Sequence, residues 1–495
     1  MAEAKHSYQS MLKATSLFGG VQLANIIMAL LRSKFIALFI GPAGMGIASL
    51  LMATLNVLLA ITNLGLDRSG VKEIAAHGSD TEQQKETLGV LKTLFVITAV
   101  IGVVLMVLMA PWISLWTFGD AHYTTHIRAI SFALLFKQLT QSTLTRLQGL
   151  RILSGLAKAN VWGNLIALLV TVPLYYYWRI DAIVPAIIVT AVISFLVAQR
   201  VDAKSGGHIS WTTPLNAWNK GKPMMRLGVL LSLSSIITLL VGYGIQLFIS
   251  GLGGLSDVGL YNAGFLILNT YVGLIFTAMG TDYFPRLSEV GRDLFKTKLI
   301  VGRQAELATL LMLPIIVVFL AFSPWIITLL YTVEFKAVVP LVQWGILGML
   351  FKAVSFSLGY VIIARGDSSL FLRTTISFNA ILFALNAAGY YHYGLMGLGM
   401  SFLVYYVIHF FSLIVIVKWR YDLTLSRGLY VLFGSGLVLC SAVLISAKSG
   451  DSVGQMIITA ALIVITCLFS WYQLNQRTDV LSLIRTKKDP NSDEH

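Results

Sequence analysis

Gly280-Thr281-Asp282-Tyr283-Phe284-Pro285-Arg286 closes an apolar run that begins at Asp257-Val258-Gly259-Leu260-Tyr261 and reaches Ala278-Met279. Such a run is long enough to cross a bilayer, since about 20 apolar residues span the hydrocarbon. An aspartate where the run leaves the hydrocarbon is expensive in lipid, so Asp282 is expected to face protein or water. Pro285 is expected to block further helical pairing. An earlier stretch repeats the pattern: Gly46 to Leu64 is apolar and closes on Gly65-Leu66-Asp67-Arg68. Asp67 and Asp282 lie 215 residues apart, and the same offset relates Lys137 to Lys352, Lys158 to Arg373, Asn164 to Asn379 and Tyr175-Tyr176 to Tyr390-Tyr391. The chain therefore reads as two copies of one membrane unit.

Composition points the same way. Of the 495 residues, 57% are hydrophobic and 12% charged, and the mean hydropathy is +0.79. A soluble chain cannot bury that much apolar surface. The fold class is all-α integral membrane, with 14 spans expected: 15–40, 45–66, 90–112, 127–150, 160–178, 182–199, 226–250, 258–281, 304–330, 338–363, 371–390, 395–417, 428–447 and 454–474. They group as a six-helix lobe (1–200), a cytoplasmic linker (201–225) lying along the headgroups, a second six-helix lobe (226–420), and two appended spans with a tail (421–495). The lobes are expected to be pseudo-symmetric around a central cavity.

The net charge of +14 would suit nucleic acid, but its placement does not. With the N-terminus inside, 28 of the 36 Lys and Arg residues fall on cytoplasmic segments or the cytoplasmic ends of spans, and three (Arg179, Lys336, Lys448) fall outside. This is the positive-inside pattern, and both termini are expected in the cytoplasm. Cys440 and Cys467 lie in apolar spans and read as inert thiols, so no disulfide is implied, and no metal or other cofactor is expected.

The remaining five cations, Arg32, Lys34, Arg128, Lys137 and Lys352, lie within or at the edges of spans. A cation at the bilayer centre costs on the order of 2.5–3.5 kcal/mol on insertion scales. Arg32, Lys34 and Arg128 also fit snorkelling near helix ends. Lys137 and Lys352 lie near mid-span and match across the repeat. Unpaired, they would make a positive, wet interior suited to an anion such as phosphate. The span 127–150 carries a largely polar stripe of Arg128, Ser131, Leu135, Gln138, Ser142 and Thr145, flanked by Lys137 and Gln141, and Asn25 adds a polar group to the first span. The stripe is expected to turn inward, as a binding surface or as polar packing between helices. Asp67 and Asp282 read as helix-end charges or partners of Arg68 and Arg286, with a gating salt bridge as the alternative. Phosphate-cradling Gly-Lys-Ser/Thr loops, paired-His zinc patterns and Gly-x-Ser-x-Gly elbows are missing, so an enzyme is not expected.

At Gly280 through Arg286, and at Lys34 through Gly46 (Lys-Phe-Ile-Ala-Leu-Phe-Ile-Gly-Pro-Ala-Gly-Met-Gly), the chain resembles the Wzx-type O-antigen and polysaccharide translocases of the multidrug/oligosaccharidyl-lipid/polysaccharide flippase superfamily. The resemblance covers about the first 420 residues. It implies two six-helix lobes around a cationic cavity and a bacterial inner-membrane location. It also implies an undecaprenyl-pyrophosphate-linked oligosaccharide as the substrate, and a polysaccharide polymerase and chain-length regulator as partners. The last two spans depart from the twelve expected of many such translocases, while related lipid II flippases have fourteen. Two alternatives stay open: a multidrug/cation antiporter of the same superfamily, which needs membrane acids, and a non-transporting enzyme or scaffold of polysaccharide assembly.

Overall fold

The structure, a computed structural model, describes residues 2–77, 81–206, 211–291, 293–449 and 453–478. The tail at 479–495, with Arg485, Lys487 and Lys488, lies outside the described residues. No strand occurs among the described residues. In hydrocarbon the backbone has no water to bond, so a chain this apolar satisfies its peptide groups within helices.

The helices are α1 (Ala2–Thr62), α2 (Leu66–Ala76), α3 (Thr81–Phe118), α4 (Thr124–Gly149), α5 (Leu153–Trp178), α6 (Ile183–Lys204), α7 (Pro214–Leu266), α8 (Leu274–Glu289), α9 (Leu294–Leu330), α10 (Val339–Ala364), α11 (Ser368–Tyr421), α12 (Arg427–Lys448) and α13 (Val453–Thr478). A π-helical turn, Ile267–Val272, joins α7 to α8. Nine stretches among the described residues are long and apolar enough to cross a membrane, and the protein is a multi-pass membrane protein. Four of the nine run from 43 to 76 residues, more than one crossing needs. Reaching fourteen requires dividing these at their breaks and adding α4, whose polar residues keep it out of the nine.

The breaks recur with the repeat. Gly41 (φ 66°, ψ −170°) interrupts α1 and Gly254 (φ 80°, ψ −174°) interrupts α7, 213 residues later. Arg151 and Gly366 both have positive φ, 215 apart. Arg179 (φ 50°, ψ −125°) and Gly394 (φ 56°, ψ −140°) share another junction at the same offset.

Two compact units result: residues 1–262 with 330–334, and 263–329 with 335–495. They divide at Asn262, whereas the lobes read from the sequence divide at 201–225. In the first unit α3 and α6 pack on α4, and α5 packs on α1 and α6. One apolar cluster joins Leu51, Leu55, Met106, Ile130 and Ile183. A second joins Leu66, Leu91, Phe95, Ala217 and Met224. The stretch 201–225, read as a linker, is helical in its second half, where α7 begins at Pro214. Proline suits a first helical turn, Ala217 is fully buried, and Lys220 pairs with Glu86.

Within this unit Gly46 and Gly259 face each other. A Cβ at Gly46 would lie 1.9 Å from the Leu255 carbonyl oxygen, and one at Gly259 would lie 1.9 Å from that of Pro42. Only glycine permits so close a backbone approach.

In the second unit α10 packs against α11 and, less extensively, α8 and α12. Tyr283 is fully buried and donates to the Ser357 carbonyl at 2.8 Å, fixing α8 to α10. The helix continues through Pro285 to Glu289, against the expected stop, because a single proline removes only one hydrogen bond of the ladder. The appended helix α13 is tied to α9 by Arg477 with Glu306 at 2.9 Å, and by Ser470 donating to the Leu310 carbonyl at 2.6 Å.

Candidate functional site

Each unit holds one mid-helix lysine, half-buried and bonded to an asparagine. In the first unit Lys137 of α4 donates to Asn56 Oδ1 at 3.3 Å. In the second, Lys352 of α10 donates to Asn269 Oδ1 at 3.3 Å. Asn269 sits in the π-helical turn. The two asparagines are 213 apart, like the junction glycines upstream of them, whereas Asp67 and Asp282 are 215 apart. The repeat therefore gains two residues after Asn269, where the π-turn accommodates extra length.

An amide oxygen orients an ammonium without neutralising it. Among the described residues no carboxylate pairs with Arg32, Lys137 or Lys352. Arg32 of α1 is half-buried, its Nε is buried without a hydrogen-bond partner, and it lies close enough to Lys137 for the two charges to repel. Lys352 borders a cavity of about 450 Å³ and faces the rings of Phe276 at 5.5 Å and Tyr406 at 5.3 Å. Tyr360 and Phe356 extend this aromatic lining. A cation over ring faces keeps its charge available while being partly desolvated. Such a site attracts an anion.

A family model described as polysaccharide biosynthesis protein matches residues 35–340, more than half of the chain. The chain belongs to the polysaccharide biosynthesis protein family. The curated relatives of this family member include a protein named "Lipid III flippase" from Escherichia coli (strain K12), 22% identical over 416 residues, covering 81% of this chain and 96% of that one. A "Putative O-antigen transporter" from Shigella flexneri is 25% identical over 308 residues, covering 60% of this chain and 71% of that one. Among solved structures, the lipid II flippase MurJ in an inward closed conformation superposes with a TM-score of 0.71 at 12% identity, covering 94% of this chain and 99% of that one. An inward-facing MATE family transporter of the MOP superfamily gives 0.61 at 15%, covering 87% and 100%. The fold is that of these transporters, and the resemblance read at Lys34–Gly46 and Gly280–Arg286 is upheld.

Not every residue read as part of the site gathers at the lysines. Gln138 is fully buried and points away from Lys137. It donates to Thr98 Oγ1 at 2.9 Å and Asn63 Oδ1 at 3.4 Å, joining α4 to α3 and to the turn that follows α1. One residue along a helix turns the side chain by about 100°, so Lys137 and Gln138 face different neighbours. Asn25 accepts from Asn164 Nδ2 at 3.0 Å, linking α1 to α5. Lys34 donates to the Tyr331 carbonyl. Arg128 is exposed near the start of α4, and Gln141 is half-buried on the same helix. Asp67 accepts from Asn63 Nδ2 at 2.7 Å, while Arg68 bonds to the Leu231 carbonyl and to Ser235 Oγ. Asp282 is exposed and pairs with Arg286 one turn on, a surface arrangement that contributes little.

Asn56 and Asn269, the partners of the two lysines, are the residues of this arrangement that sequence reasoning missed. Their signal was present, since each stands in the second span of its repeat, but the 213-residue offset hides it from a search at 215.

Proposed function

We propose that the protein flips a lipid-linked oligosaccharide from the cytoplasmic to the periplasmic leaflet of a bacterial inner membrane. The cargo proposed is an undecaprenyl-pyrophosphate-linked O-antigen repeat unit or a close equivalent. The observation that carries this reading is the pair of repeat-related lysines, each held by an asparagine and unmatched by a carboxylate. The names of the relatives support the substrate class. Each unit is assigned its own anion-attracting site for the pyrophosphate, Lys137 with Arg32 in the first and Lys352 in the second, with Arg128, Lys34 and Gln141 as lesser contacts in the first. Their charge offsets part of the free energy needed to take an anion out of water. Phe276, Tyr360 and Phe356 are assigned to the sugar, whose apolar face packs on rings. Alternating access moves the headgroup through the protein while the polyprenyl chain stays in lipid. A cation antiporter would require acids where these bases stand. With both termini cytoplasmic, reporters fused after Ser205 and after Lys448 should lie on opposite sides.

The test is complementation of surface polysaccharide in a deletion strain, normalised to protein in the membrane. Arg32→Ala and Lys137→Ala should each impair transport at wild-type protein levels. Full polysaccharide from both variants would reject the assignment of these cations to the substrate.

A further inference from the structure

A second cavity, of about 400 Å³, lies wholly in the first unit. Its floor is α4, and its walls are α3 and α6, which both pack on α4. Two of these helices, α4 and α6, are polar at one end of the cavity and apolar at the other. Along α4 the lining runs from Leu135 and Leu139 to Arg146, a distance of about 16 Å at 1.5 Å per residue. Along α6 it runs from Phe195 through Gln199 to Asp202, while α3 lines the cavity with Val96, Lys92, Leu91 and Leu88, one cation among apolar residues. A lining graded in this way on two elements, with a lysine added by the third, matches an amphiphile, not a free ion or a purely apolar molecule.

The polar end has unused capacity. Arg146 is 6% exposed; it pairs with Asp202 and donates to the Gly206 carbonyl at 3.3 Å, yet its Nε is buried with no partner. Lys92 lies 4.3 Å from the ring centre of Trp211 at the same end; it forms no ion pair among the described residues, though it stands near enough to Asp202 to attract its charge. Arg146, Lys92 and Asp202 together leave one surplus positive charge, which balances the single negative charge of a phosphodiester. Basic pockets between membrane helices are suited to anionic lipid headgroups, and tryptophan is of the type that anchors at membrane–water interfaces. We propose that this cavity binds an anionic phospholipid, with its phosphodiester at Lys92 and Arg146 and part of one acyl chain between Leu135, Leu139 and Phe195. The site is separate from the lysine–asparagine pairs and does not rest on the transport reading.

The test uses the purified full-length chain in a neutral detergent. Dioleoyl phosphatidylglycerol, dioleoyl phosphatidylcholine and inorganic phosphate are titrated in separate arms, read by native mass spectrometry and thermal unfolding. Phosphatidylglycerol should be retained in preference to phosphatidylcholine and should raise the unfolding temperature, and inorganic phosphate should do neither. Lys92→Gln should weaken phosphatidylglycerol binding about fivefold, the worth of one lysine at an anionic surface. Lys418→Gln, at an exposed position in the other unit, should not. Leu139→Trp, which fills the apolar end and keeps both cations, should also lose the lipid, so the result does not hang on one variant. Equal retention of the two lipids, stabilisation by inorganic phosphate alone, or undiminished phosphatidylglycerol binding in either Lys92→Gln or Leu139→Trp overturns the proposal.

Discussion

Lys352→Ala removes an ammonium that lies 3.3 Å from Asn269 Oδ1 and within 5.5 Å of two aromatic ring centres. A hydrogen bond to a charged group contributes about 1.5–3 kcal/mol. Losing one such contact to a pyrophosphate should weaken substrate binding roughly 10- to 150-fold, at 1.4 kcal/mol per tenfold. The effect on folding should be small. The side chain is half-buried and borders a cavity of about 450 Å³, roomy enough for water to satisfy the Asn269 oxygen. Lys352→Glu should be worse than alanine, because a carboxylate 4 Å from a phosphate repels it by roughly 4 kcal/mol at an effective permittivity of about 20. Lys352→Arg should be the mildest, since it keeps the charge and bonds phosphate well. The assay is surface polysaccharide in a deletion strain, measured at graded, limiting expression so that excess transporter does not mask a binding defect. Two results would refute the reasoning: full polysaccharide from the alanine variant at limiting expression, or glutamate no worse than alanine at equal protein level. Either would mean that Lys352 serves helix packing and not an anion.

Gly46→Val and Gly259→Val should each lower the yield of monodisperse protein and its unfolding temperature, since a Cβ would sit 1.9 Å from a facing carbonyl oxygen; overpacking costs about 1–3 kcal/mol or more, and normal thermal profiles would contradict the close crossing. Arg146→Ala should destabilise by about 3–5 kcal/mol because it leaves Asp202 charged and buried, whereas the double change Arg146→Met with Asp202→Leu should recover most of the loss; a double variant as unstable as the single would contradict this. The Asp367 carboxyl is held below the usual carboxylate range, chiefly by the Leu370 backbone N–H and then by Arg420. Because its folded-state pKa is lowered, its contribution is full above about pH 4, the ordinary aspartate value, and is lost as pH falls below that; Asp367→Asn should therefore flatten the acid limb of the unfolding-temperature profile and leave the neutral region less stable, and an unchanged acid limb would count against the cap.

The membrane fold was legible because lipid leaves few choices. Apolar runs of the right length specify helices. The lysine pair was legible because Lys137 and Lys352 keep one offset through the repeat. Asn56 and Asn269 were not, because length added after Asn269, where the π-helical turn lies, shifts the offset. The polar stripe on α4 was legible as a stripe but not in its detail. Neighbouring residues such as Lys137 and Gln138 diverge by about 100°, and only packing shows which one meets α3. The helix from Pro214 was hidden because proline, glycine, tryptophan and lysine read as a connection; burial of Ala217 and Met224 against α3 overrides that local preference. Arg146 escaped notice since nothing in the sequence pairs it with Asp202, 56 residues away.

The shared junctions make each half of the chain a working template for engineering the other. At Gly366 and Gly394 the second copy uses glycine for backbone that the first copy builds from Arg151 and Arg179. An L-residue held at positive φ costs on the order of 1–3 kcal/mol. Arg179 recovers part of that by donating to the Phe39 carbonyl at 3.2 Å, which contributes about 1 kcal/mol. Arg151 is exposed and has no side-chain bond of that kind among the described residues. Copying glycine from position 366 to position 151 is therefore the favourable transfer, and copying it from 394 to 179 is close to neutral. A thermostabilised variant for biophysical work can be designed from this chain alone, by borrowing at each junction from whichever half relaxes the backbone.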